Sequence, residues 1–153
     1  MNREGSETIP IEQLVLSLID AAKKEDWEKV DKQLIPQLAQ VDGNQMAQNL
    51  FGHVNDEDPN VRDVIATGLA AFEISDNGIR KEAIDKMVVM ATEDEERFPA
   101  GRAATFLLKY RQDRNFKSQV ENALDVFKIR ARQSGWTQDF RESIPQLDQI
   151  LSD

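Results

Sequence analysis

Catalysis and metal binding need particular side chains within reach of one another, and this chain holds few of them. His53 is its only histidine and it has no cysteine, so no thiolate nucleophile, no cysteine or multi-histidine zinc site and no disulfide can be assembled. Gly43, Gly52, Gly68 and Gly78 stand alone, and none opens the strand-to-helix turn that cradles a phosphate. The acidic runs Asp56-Glu57-Asp58 and Glu93 to Glu96 could attract a divalent cation, but they lack the alternating ligands and distal Glu of a calcium loop. They read as solvated loop charge. The expectation is therefore no catalytic residue, no metal and no cofactor.

What the side chains do offer is recognition. Lys109-Tyr110-Arg111-Gln112-Asp113-Arg114-Asn115-Phe116-Lys117 concentrates four cations and two aromatics in nine residues, with Arg102 before it and Lys128, Arg130 and Arg132 after it. Arg and Tyr are enriched at binding hot spots. Arg102, Lys109, Tyr110, Arg111, Arg114 and Lys117 are accordingly the expected partner-binding set, the alternative being an ordinary charged loop. Trp27 and Trp136 could anchor a partner or cap an end of the core, and the second is the commoner fate.

Charge asymmetry points the same way. The net charge is −9; residues 1 to 75 carry 6 basic and 14 acidic side chains, whereas 76 to 153 carry 13 and 14. An excess of acid disfavours polyanionic partners, so nucleic acid is not expected. The basic turn instead points to an acidic protein partner or to weak head-to-tail contact between copies of a monomer. No apolar stretch approaches the roughly 20 residues that span a bilayer, and the start carries no apolar leader core. A cytoplasmic location without membrane contact is the expectation.

The elements that must position these residues all have a helical period. Ile11, Leu14, Val15, Leu18, Ile19 and Ala22 form one stripe, with Thr8 and Pro10 suited to its start. Trp27, Val30, Leu34, Leu38 and Val41 form a second behind Asp26 as N-cap, ended by Asp42-Gly43-Asn44. Met46, Leu50, Phe51 and Val54 form a third, and Asp58-Pro59 opens a fourth through Val61, Val64, Ile65, Leu69 and Phe72. After the turn Ser75 to Gly78 a fifth carries Ile84, Met87, Val88 and Ala91. Pro99 opens a sixth, reaching Tyr110; a seventh carries Val120, Leu124, Phe127 and Ala131. Thr137 caps an eighth through Phe140, Ile144, Leu147 and Leu151. With 40% hydrophobic and 31% charged residues and no alternating strand pattern, the reading is all-α, with residues 1–8 disordered and 9–153 one domain.

Two internal echoes bear on how eight helices are arranged. Asp58-Pro59-Asn60-Val61-Arg62, followed by small and aliphatic residues, returns forty residues later as Phe98-Pro99-Ala100-Gly101-Arg102, with Pro and Arg at the same spacing. Trp27-x7-Ile35-Pro36-Gln37-Leu38-x-Gln40-Val41 matches Trp136-x7-Ile144-Pro145-Gln146-Leu147-x-Gln149-Ile150. The first pattern resembles the second-helix signature of the HEAT-repeat family, and Leu-Ile-Pro-Gln-Leu is similar to its proline-bearing first helix. The resemblance covers 58 to 72 closely and 27 to 41 and 78 to 110 loosely; Phe98 and Gly101 depart from it. It implies a short right-handed α-solenoid of about four antiparallel helix pairs. It also implies structural roles for Asp58, Pro59 and Arg62, the arginine, like Arg102, bonding to acidic residues of a neighbouring unit. The rival arrangement is an irregular bundle in which Asp-Pro is only a good helix start.

The function expected from this is a non-enzymatic protein-binding scaffold. Alternatives are an accessory subunit similar to HEAT-type bilin lyases, or a small acidic inhibitor or immunity protein.

Overall fold

The structure, a computed structural model, describes residues 10–152. Thr8 and the expected disordered segment 1–8 lie outside them. Among the described residues there is no strand, and the helices are α1 Ile11–Lys23, α2 27–38, α3 Gly43–Phe51, α4 Pro59–Leu69, α5 Asn77–Glu93, α6 Arg97–Leu108, α7 Lys117–Gln133, α8 Thr137–Ser143 and α9 Asp148–Leu151.

Carboxylates cap four of the nine. Asp26 accepts from the Lys29 amide (3.2 Å), Asp42 from Asn44 and Gln45 (2.9 and 3.3 Å), Asp58 from Asn60 (2.8 Å) and Asp76 from Ile79 (2.9 Å). Each satisfies amides that the first turn leaves without a carbonyl partner. Asp42-Gly43-Asn44 and Ser75 to Gly78 thus begin helices rather than only ending them. Gly43 is required where it stands: a Cβ there would collide with the Glu73 carbonyl, which runs against the start of α3.

Several expected boundaries move: the second helix ends at Leu38, short of Val41, the fourth at Leu69, short of Phe72, and the sixth at Leu108, short of Tyr110. The third helix ends at Phe51, and Val54 is buried from the turn beyond it. The sixth begins at Arg97, with Pro99 inside its first turn, where a missing amide costs nothing. Thr137 makes no capping bond; Trp136 occupies the N-cap. The eighth helix is not continuous: α8 stops at Ser143, Pro145–Leu147 is a 3₁₀ turn and α9 follows. Ile144 sits at φ −134°, ψ 73°, outside the helical region, as a residue before proline prefers.

The matching segment behaves differently. In α2 the α-helical turn Trp27–Lys29 widens into a π-helix over Val30–Leu34 and returns to α over Ile35–Leu38. The Ile35 amide donates five residues back to the Val30 carbonyl. A wider turn leaves room for the Pro36 ring, which in a regular turn clashes with the carbonyl four residues before it.

The helices pack in two rows. α1, α4, α6 and the 145–147 turn lie side by side; α3, α5 and α7 form the second row; α1 on α3, α5 on α6 and α6 on α7 join them. One continuous apolar core runs from Leu14 to Leu151, and no polar or charged residue among those described is fully buried. Small residues permit the close approach of the rows. A Cβ on Gly101 would come within 2.6 Å of Phe140 and 3.0 Å of Ile144, so α6 carries glycine where α8 and its exit press against it.

Polar ties between residues about one helix pair apart reinforce the rows. Asn44 bonds to Ser75 and to the Asp76 amide, Arg62 to Asp94, Arg80 to Asp113, Gln119 to Asp85, and Arg130 to the Ala91 and Asp94 carbonyls.

Candidate functional site

The expected basic surface is built largely into the fold. Lys109 lies just past α6 and donates from Nζ to the Ala70 and Phe72 carbonyls (2.9 and 3.0 Å), closing the end of α4. Burial pulls its ammonium below the ordinary lysine range, with Glu73 acting in the opposite direction. Tyr110 is 6% exposed, its ring tilted against that of Phe106 with centroids 5.0 Å apart, and burial raises its phenol. Arg111 is half-buried and lies 3.8 Å from Glu121. Arg114 and Lys117 are exposed. The segment therefore does not present its six cations and aromatics as one open face, and Arg102 belongs to a different surface altogether.

Arg62, at the head of α4, donates from Nε and Nη2 to the Asp94 carboxylate (2.8 and 3.0 Å) and from Nη1 to the Asp56 and Glu57 carbonyls (2.9 and 3.2 Å). The hydrogen bond to Asp94 raises its pKa further. Asp94 in turn accepts from the Glu96 amide at the start of α6. Arg62 is thereby committed to holding two interhelical turns together. It also floors a cleft of about 620 Å³ whose rim carries Glu57, Glu93, Glu95 and Glu96, none with an ion-pair partner among the described residues. No group of three or more metal-capable side chains is found among the described residues.

The better candidate is a groove of about 520 Å³ along α4 and α6, lined by Glu25, Trp27, Val30, Asp31, Asn60, Asp63, Val64, Thr67, Phe98, Arg102 and Ser143. Its volume suits a side chain or a short stretch of peptide. Helical periodicity assembles its floor: Asp63 and Thr67 are one turn apart on α4, and Arg102 reaches them from the same side of α6. Trp27 at the start of α2 and Phe98 at the start of α6 are both partly buried against the core and partly open to the groove.

Electrostatically the floor is incomplete. Asp63 is 14% exposed; one oxygen, Oδ1, faces both the Arg102 Nε (3.3 Å) and the Thr67 hydroxyl (3.3 Å). Arg102 Nε is buried but makes no aligned hydrogen bond. Lost hydration raises the Asp63 carboxyl above its ordinary range, Arg102 and Thr67 pull it back only in part, and Asp31 adds to the rise. The carboxylate is under-compensated. Three acidic groups, Glu25, Asp31 and Asp63, share the groove with one guanidinium.

Trp27 and Trp136, matched in sequence, have separate fates. Trp136 is edge-on to Phe140 at 6.0 Å and covered by the Arg130 guanidinium at 5.2 Å. Trp27 has no such cover and faces the groove. Sequence reading singled out Trp27 and Arg102 but not Glu25, Asp31 or Phe98. The one local signal was Asp63, a carboxylate among the buried Val61, Val64, Ile65 and Ala66, with Thr67 a turn on.

Among the described residues no helix is long and apolar enough to cross a membrane. Compared with protein-family models, with curated proteins and with solved structures, the chain finds no match in any of the three.

Proposed function

We propose that the chain is a short HEAT-like α-solenoid that works as a non-enzymatic protein-binding module, and that it docks its partner in the groove over Asp63 and Arg102. The single observation that carries this is the pairing of two partly open aromatic side chains, Trp27 and Phe98, with a part-exposed, poorly aligned ion pair. Such surface is costly to leave to water and is the kind that hot spots are made of. The repeat reading is supported by the two rows of helices and by ties that recur at similar spacing: Arg62 to Asp94, Arg80 to Asp113, Gln119 to Asp85 and Arg102 to Asp63.

The test compares complexes purified from the source cells with wild-type protein, with Trp27→Ala/Phe98→Ala and with Arg114→Glu/Lys117→Glu. A stoichiometric partner that is lost with the aromatic pair and kept by the basic-turn variant is the expected result, with circular dichroism melts showing that both variants fold. A partner kept by the aromatic variant and lost from the basic-turn variant would return the docking surface to the segment around Arg114.

A further inference from the structure

The groove's chemistry also says what kind of side chain fills it. Trp27 and Phe98 line the groove; the Arg97 guanidinium already lies 5.3 Å from the Phe98 ring centroid, which leaves the Trp27 ring to take an apolar group or a cation over its face. The groove's charge removes the anionic choice: an acidic guest would meet Glu25, Asp31 and Asp63, and the one cation, Arg102, already leans on Asp63 at 3.3 Å. A neutral apolar guest would bury the Asp63–Arg102 pair further and leave Glu25 and Asp31 facing it without a counter-charge, and desolvating carboxylates without one is costly. A cation answers both conditions at once.

We infer that the groove receives an arginine or lysine side chain carried on a segment of a partner protein, its stem against Trp27 and Phe98 and its charge answered by Glu25, Asp31 and Asp63. The assignment rests on the docking surface proposed above and names its occupant.

An independent detail of the backbone agrees with it. Glu25 is the one non-glycine residue with positive φ, at +57°, among those described; the equivalent turn after α7 uses Gly135, at +72°. Both close their helices in the same way, the next amide donating to the carbonyl five residues back, Asp26 to Ala21 and Trp136 to Ala131, each at 2.9 Å. A β-carbon in this left-handed conformation is strained in a way that glycine is not. The chain bears that strain at the turn bordering the groove and avoids it at the other, which keeps an acidic side chain at the groove's edge.

The protein has two tryptophans, so Trp136→Phe in the full chain leaves Trp27 as the sole indole reporter. Its fluorescence is titrated with acetyl-Gly-Ser-Arg-Ser-Gly-amide, with the same peptide carrying citrulline, a neutral isostere, or Glu in place of Arg, and with free arginine. A saturable change with the arginine peptide is expected, about tenfold weaker with citrulline and absent with Glu, and falling as salt rises. Glu25→Gln/Asp31→Asn, at two exposed positions, should weaken the arginine peptide about fivefold or more while its melting curve stays unchanged.

Equal binding of the citrulline peptide, an undiminished affinity in the neutralised variant, or no saturable change up to about 10 mM peptide would overturn the inference. Free arginine binding as tightly as the peptide would also overturn it, making the guest a small cation rather than a protein segment. If the titration fails while Trp27→Ala/Phe98→Ala still abolishes partner capture, only the cationic guest falls and the protein-binding reading stands.

Discussion

Arg62 and Arg102 stand at the same spacing from a proline, three residues after Pro59 and Pro99, yet they do opposite things. Arg62 is 17% exposed and uses its guanidinium fully: two bonds to Asp94 and two to backbone carbonyls. Arg102 is 32% exposed and meets Asp63 without an aligned bond from its buried Nε. One corner is a completed joint and the other an open socket. A satisfied charge network rigidifies, whereas an unsatisfied one at a surface stores interaction free energy that a partner can release. Of two corners built on the same Pro-x-x-Arg spacing, the one that fails to close is the place to look for function.

The largest expected effect comes from opening the closed corner. Arg62→Ala strands Asp94, 7% exposed, and two turn carbonyls, and should cost about 2–4 kcal/mol in urea unfolding. A loss inside experimental error would mean the two turns hold without their latch. Next is the position just before each arginine, Val61 in α4 and Gly101 in α6. Gly101→Val restores the repeat pattern but drives a side chain into Phe140 and Ile144, so a destabilisation of about 1–3 kcal/mol is expected. A neutral outcome would show that the C-terminal segment can shift away from α6.

Arg102→Ala should cost only about 1 kcal/mol in stability, because its pair is part-exposed and poorly aligned. Its larger consequence is expected in partner binding, measured beside the unfolding curve. Stability losses equal to those of Arg62→Ala would erase the contrast between the two corners.

The smallest effect is the pH dependence that sharpens it. The Asp63 carboxyl is raised in the folded chain by lost hydration, so between its unfolded and folded pKa values the folded state holds a proton that the unfolded state has released. That contribution is present below the ordinary aspartate value and lost as pH rises through the raised one. Relative to Asp63→Asn, the wild type should therefore lose stability across that window in unfolding curves at stepped pH. Parallel curves would mean that Arg102 compensates Asp63 in full.

Much of the scaffold was legible locally. Asp26 and Asp58 act as the N-caps their positions call for, and the apolar stripes from Leu14 to Leu151 face the core, because capping and amphipathic period depend on residues within a turn or two. The groove was only half legible. Trp27, Arg102 and the Asp63–Thr67 turn carry visible signals, but Glu25, Asp31 and Phe98 join them only through the packing of α2, α4 and α6. The basic turn drew attention by composition; the carbonyls at the end of α4 that occupy Lys109 lie 39 and 37 residues away in the chain.

The twin Ile-Pro-Gln-Leu segments mark the boundary most sharply. Sequence by itself determined a helical stripe on both sides of Pro36 and of Pro145, and a proline ring removes one donor and crowds the preceding turn wherever it stands. Tertiary structure decided how each segment meets that demand. In α2 the buried Leu34 already fills the core, Ile35 stays half-exposed, and the chain continues through a widened turn. At the other end Ser143 is exposed, so Ile144 must be the residue that buries, and it leaves the helix to reach the space that Gly101 makes for it. The same four residues take two shapes because the steric demand of proline is local, while the cavity that rewards one way of meeting it is supplied by another helix.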